Sequence, residues 1–177
     1  DVIGAGISLD KVSDLMSEDN TVSPLPWQRM AEKLDTMNKV VPWGQRLSFK
    51  LTRIEKGHVW GFQPWKENLV GDPDTNVIHG GVLTGFLDHL SGMSASSALE
   101  VPSVVATIDL RIDYMRPADT RRDIIGEGEC YHLTRNVAFT RAWAYHESRD
   151  KVIATAAGTF VINKPRFQKK TGTSNAT

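Results

Sequence analysis

"NVIHGGVLTGFLDHLSGMSA", residues 76–95, decides the fold. It reads as a turn, a glycine pair and then a buried helix, expected at about 82–98, and that helix carries a carboxylate, Asp88. Val82, Leu83, Phe86, Leu87, Leu90 and Met93 fall on one broad apolar surface at helical spacing. Gly81, Thr84, Gly85, Asp88, Ser91, Gly92 and Ala95 form a second stripe of small side chains. Such a stripe admits another backbone or leaves room for a ligand. A carboxylate within it favours the ligand, because a buried charge needs a partner or water.

The helix sits between two kinds of sequence. Before it, Ser8 is placed to cap a short helix through DKVSDLM, and Trp27, Met30, Ala31, Leu34 and Met37 recur at helical spacing until Pro42. Residues 8–40 are therefore expected as two helices packed on the outside of a domain. From Arg46 the period becomes two. Leu47, Phe49 and Leu51 alternate with polar residues, and EKG turns into a second strand, HVWGFQP. A loop of Asp, Pro, Gly and Asn runs from Glu67 to Asn76.

After the helix the chain reads as strands. In VVATIDLRIDYMRP, alternation puts Ala106, Ile108, Leu110, Ile112 and Tyr114 on one face and Thr107, Asp109, Arg111 and Asp113 on the other. Residues 122–133, 136–147 and 151–162 give three more strands, the last two joined by SRDK. Gly126, Gly128, Ala154, Ala156 and Gly158 signal curvature or a close neighbour. Two strands, one long helix and four strands predict an α+β domain, with a curved antiparallel sheet wrapped around a single helix. The open edges of such a sheet predict pairing between subunits. The expected boundaries are a helical extension over 1–42, one domain over 43–163 and a flexible tail over 164–177.

Composition narrows the function classes. The chain has 177 residues, 40% of them hydrophobic, with 21 Lys and Arg balancing 21 Asp and Glu. That balance argues against nucleic-acid binding through bulk charge. No apolar run is long enough to cross a membrane. The first ten residues lack the basic and apolar regions of a signal peptide, and Cys130 is the only cysteine, so a cytoplasmic protein without a disulfide is expected. Cys130 reads as a small core residue, and no metal-ligand spacing appears.

His79-Gly80-Gly81 puts backbone N–H groups at a helix N-terminus, where the dipole favours negative charge. Such donors suit a carbonyl oxygen that gains charge. Asp88 lies roughly 12 Å along the same helix, too far to act on that carbonyl. An antiparallel helix of a second subunit would bring its own Asp88 opposite these glycines. Taken alone, Asp88 reads first as a structural carboxylate bonded to Ser91 or to the backbone, and His79 as a loop anchor.

With these residues in place, the chain resembles the hotdog-fold acyl-CoA thioesterases of the phenylacetate-degradation type, from about Trp43 to Ile162. The resemblance rests on GDPDTNVIHGGVLTGFLDHLSGMSA, ATIDLRIDYMRPA and RNVAFTRAWAYHESRDKVIATAAGTFVI, in that order and spacing. It implies a hotdog domain that hydrolyses acyl-CoA to carboxylate and free CoA. It implies no cofactor, since CoA belongs to the substrate, and a homodimer assembling into a homotetramer. Asp88 matches the general base or nucleophile, and the Gly80 N–H, helped by Gly81, matches the donor to the thioester carbonyl. His79 matches a residue that shapes the site, and Thr107 one that orients water. Arg116 and Arg135 become candidates for the nucleotide phosphates.

Three positions depart from the family pattern. Asn76 replaces a loop glycine and retains access to a left-handed turn. Asp72 replaces an asparagine, and a carboxylate close to Asp88 would raise the pKa of Asp88. Gly92 replaces a hydroxyl, leaving water positioning to Thr107 or Ser91. Two other readings share the fold: a noncatalytic acyl-CoA-binding or sensing module, and an enoyl-CoA hydratase or dehydratase.

Overall fold

The computed structural model describes residues 24–163. The expected helix after Ser8 and the tail from 164 lie outside those residues. Among the described residues, proline starts two of the three helices that precede the sheet: α1 (Pro26–Glu32), α2 (Leu34–Val40) and α3 (Pro42–Leu47). Its fixed φ and missing N–H suit the first helical position. The stretch expected as one helix over 27–40 is broken at Lys33, and Pro42 opens a helix as well as closing one. The strand expected from Arg46 begins only at Lys50, because Ser48 takes a left-handed conformation (φ 64°) between α3 and the sheet. Leu47 and Phe49 are both buried, one ending α3 and the other just before the strand.

The sheet is six-stranded and antiparallel. It comprises β1 (Lys50–Glu55), β2 (His58–Gln63), β5 (Val104–Tyr114), β6 (Ile124–Leu133), β7 (Val137–Tyr145) and β8 (Val152–Asn163), in the order β1-β2-β6-β7-β8-β5. The loop before the helix holds a small hairpin of β3 (Val70–Asp72) and β4 (Val77–Ile78). The long helix α4 (Gly80–Ala98) lies in the concave face of the large sheet. This is the hotdog arrangement that the sequence implied.

Glycine brings helix and sheet together. A Cβ on Gly128 would sit 2.5 Å from the Leu90 carbonyl oxygen, and one on Gly126 would sit 2.6 Å from the Phe86 ring. Only a residue without a side chain tolerates that approach. Phe86, Leu87 and Leu90 are fully buried there, each side chain stabilising the fold by roughly 1.5–3 kcal/mol.

The two sheet edges differ. Asn38 of α2 donates to the Leu51 carbonyl (3.0 Å) and accepts from the Leu51 N–H (2.7 Å), so its amide acts as a strand partner against β1. The edge strand β5 has no such cover among the described residues. It also carries a bulge. Thr107 pairs with Phe160 and Asp109 with Thr159, leaving Ile108 as the extra residue. The expected alternation therefore fails at Ile108. Thr107 lies on the helix side together with Leu110, Ile112 and Tyr114, while Ile108 is 59% exposed.

Candidate active site

The segment 99–103 turns β5 back along α4, so residues similarly far from that connection meet. Thr107 Oγ1 donates to Asp88 Oδ1 at 3.0 Å. Asp88 is half-buried, and burial holds its carboxyl above the ordinary range while the Thr107 hydrogen bond pulls the other way. The two candidate residues thus meet within one protomer, and the bulge makes it possible. The alternation that set Thr107 on the face away from Leu110 and Ile112 does not survive, because it counted straight through Ile108.

Ser91 does not serve Asp88. Its side chain is fully buried and its Oγ has no hydrogen-bond partner among the described residues. Gly92 is backed by Phe160, whose ring lies 3.4 Å from where a Cβ would stand. Asp72 is likewise separate. Its carboxylate accepts from Thr75 Oγ1 (2.8 Å) and the Asp74 N–H (3.0 Å), which hold its pKa below the usual range. It contributes nothing to the raised Asp88 within the protomer. His89 packs tilted against the Phe49 ring, 4.7 Å between centroids, and burial depresses its pKa to about 4. Burial pushes the Cys130 thiol up to about 11, so it stays protonated and packs beside Phe160 and Ile162.

At the other end of the stripe, His79 caps the helix. Its Nδ1 accepts the Gly81 N–H at 2.9 Å, and its carbonyl accepts the Val82 N–H at 2.9 Å. Gly81 therefore does not assist as an outward donor. The Gly80 N–H has no acceptor among the described residues. Asn76 adopts the left-handed conformation (φ 56°), and its carbonyl takes the Trp65 indole N–H at 3.0 Å.

Sequence reasoning missed Tyr114. Its hydroxyl donates to the Gly80 carbonyl at 2.9 Å and lies 2.7 Å from Thr84 Oγ1. Nothing in the local pattern links 114 to 80; the antiparallel return of β5 is the signal that places them at one end. It also missed Trp43 of α3, which is 57% exposed and lies over Gly85. A cavity of about 440 Å³ opens beside Gly80 and Tyr114, lined by Val77, Ile78, Leu83, Met115 and Pro117 among others. Arg116 borders it, but its guanidinium is held by Asp119 Oδ1 (3.2 Å) and the Lys151 carbonyl (3.0 Å). Arg135 is exposed in the β6–β7 turn, away from this cavity. The structure does not bring the two arginines together.

Residues 75–153 match the family model described as the thioesterase superfamily. A crystal structure from Pseudomonas aeruginosa is 32% identical, with a TM-score of 0.67 over 75% of this chain and 98% of that one. The chain belongs to the thioesterase superfamily. As a hotdog thioesterase it is a thioester hydrolase. The Escherichia coli medium/long-chain acyl-CoA thioesterase YigI is 27% identical over 142 residues, 69% of this chain and 86% of that protein. A Halobacterium salinarum protein named as an esterase is 39% identical over 77 residues, and the match spans 50% of its length. The Escherichia coli PaaI protein of the phenylacetic acid degradation operon shares the fold, with a TM-score of 0.67 at 13% identity. Among the described residues of this hotdog thioesterase, no helix is long and apolar enough to cross a membrane.

Proposed function

We propose that the chain hydrolyses an acyl-CoA to a carboxylate and free CoA, with Asp88 activating water or attacking the thioester carbon and the Gly80 N–H polarising its carbonyl. The observation that carries this reading is the Thr107–Asp88 hydrogen bond in the middle of a helix otherwise packed into the core. A carboxylate kept above its ordinary pKa by burial is a stronger base than a solvated one. The hydroxyl beside it orients the carboxylate and a water.

Gly80 and Asp88 stand roughly 12 Å apart along one helix, so the complete site joins two protomers. Pairing along the uncovered edge of β5 brings Asp88 of one copy opposite Gly80 of the other, in a dimer that assembles into a tetramer. The apolar cavity beside Gly80 supports an uncharged acyl group. The medium/long-chain preference named for YigI agrees with that. The reaction as proposed needs no cofactor, and one cysteine held as a thiol fits a cytoplasmic enzyme.

The test is thiol release from aryl and aliphatic acyl-CoAs by wild type and Asp88→Asn, with the oligomer measured in parallel. Loss of turnover by about 10²-fold or more at an intact oligomer supports the reading. Equal rates remove Asp88 from the mechanism, and tight binding without turnover in the wild type supports a sensing module instead.

A further inference from the structure

We infer that Tyr114, braced by Thr84, is a positioning residue that fixes the direction of the Gly80 N–H; this rests on the reading of Gly80 as the carbonyl donor. Glycine at the first position of a helix has an unusually free backbone, and bonds from outside the helix add to the helical ones in holding it. Two peptide planes meet at the Gly80 Cα, and each is held. In the peptide before it, the His79 carbonyl accepts the Val82 N–H at 2.9 Å. In the peptide after it, the Gly80 carbonyl accepts from the Tyr114 hydroxyl at 2.9 Å, and the Gly81 N–H donates to His79 Nδ1 at 2.9 Å. The Gly80 N–H lies in the first of these planes and has no acceptor among the described residues; holding the second plane limits rotation at the Gly80 Cα and so keeps that N–H in its direction.

Tyr114 reaches that carbonyl because residue 80 lacks a side chain. A Cβ there would lie 3.3 Å from the Tyr114 hydroxyl and 3.4 Å from its ring. Thr84 Oγ1 contacts both partners, at 2.7 Å from the Tyr114 hydroxyl and 3.2 Å from the Gly80 carbonyl. The arrangement is a three-membered polar cluster on an otherwise apolar wall. Tyr114 is 53% exposed, so the core does not explain its placement. The same ring borders the 440 Å³ cavity, so the residue that orients the donor also stands where an acyl group would enter.

A donor aimed in advance acts on the charge that develops in the transition state, not on ground-state binding. Tyr114→Phe keeps the ring and removes the hydroxyl. Its kcat for decanoyl-CoA should fall about tenfold at unchanged KM, the scale of releasing one residue's backbone. The acid limb of its pH profile should stay in place, because Tyr114 does not touch Asp88. Thr84→Val, which leaves the Tyr114–Gly80 bond intact, should give a smaller fall of the same kind. A purely structural role predicts a lower Tm with kcat retained in the folded fraction, and that outcome in either variant overturns the proposal. Asp88→Asn, assayed beside them, reports separately on the hydrolytic reading. If it retains full activity the mechanism fails, whatever Tyr114 does.

Discussion

Replacing Thr107 with valine tests how the edge strand supports the carboxylate. The substitution keeps the branched shape and removes the donor that lies 3.0 Å from Asp88 Oδ1. Burial already raises the Asp88 pKa and the Thr107 bond opposes it, so losing the bond moves that pKa further up. A hydrogen bond to a charged group contributes about 1.5–3 kcal/mol. Thr107 is exposed, and water replaces much of what it gives, so the effect scales down to about 1 kcal/mol. That corresponds to roughly fivefold in kcat/KM. The assay is thiol release from one acyl-CoA across the acid limb, with both proteins confirmed folded. The variant's limb should lie at higher pH, with rates at least fivefold lower on the limb and a smaller shortfall above it, where only the orientation of the water is lost. A profile superimposable on wild type would show that the bond does not reach the base. A shift to lower pH would contradict the sign of the interaction.

The same carboxyl has a stability signature. A raised folded pKa means that the folded chain holds this proton more tightly than the unfolded chain, so the contribution is present below the ordinary carboxylate range and is lost as pH rises through the folded value. His89 behaves oppositely. Its pKa is depressed to about 4 by burial, so its contribution is present above the unfolded value near 6.5 and is lost as pH falls towards 4. His89→Phe should flatten the fall of Tm over that window, by a free energy bounded at about 3 kcal/mol; an unchanged slope would mean that His89 is solvated. Gly128→Ala drives a methyl into the Leu90 backbone at 2.5 Å. It should cost roughly 3 kcal/mol or more and lower Tm by at least about 6 °C in a thermal melt, and an unaltered Tm would refute the close approach.

Much of the helix was legible because its chemistry is periodic. Val82, Leu83, Phe86, Leu87 and Leu90 announce the buried face, and the same counting isolates Asp88. Gly126 and Gly128 were legible too, since few forces other than a close neighbour place glycine inside a strand. Features that depend on a single irregular residue stayed hidden. Ser48 turns the chain before β1, so an alternating pattern there belongs partly to a helix. Ile108 resets the alternation of β5, so Thr107 was assigned to the wrong face. Ser91 shares the stripe with Asp88 by angle yet lies wholly in the interior, because the sheet curls over that side of the helix. The Tyr114–Gly80 contact joins residues 34 positions apart and follows from topology alone.

The bulge at Ile108 has a bearing on how relatives of this chain should be aligned. A relative with the same letters on either side but one residue fewer would lack the bulge and keep both the sheet pairing and its threonine on the helix side. A gap placed one position off would match that threonine to Ile108 and hide the correspondence. Across such sequences the length of this strand carries information that residue identity does not. Placing the gap at Ile108, so that strand partners stay matched, shows which relatives set a threonine against the carboxylate.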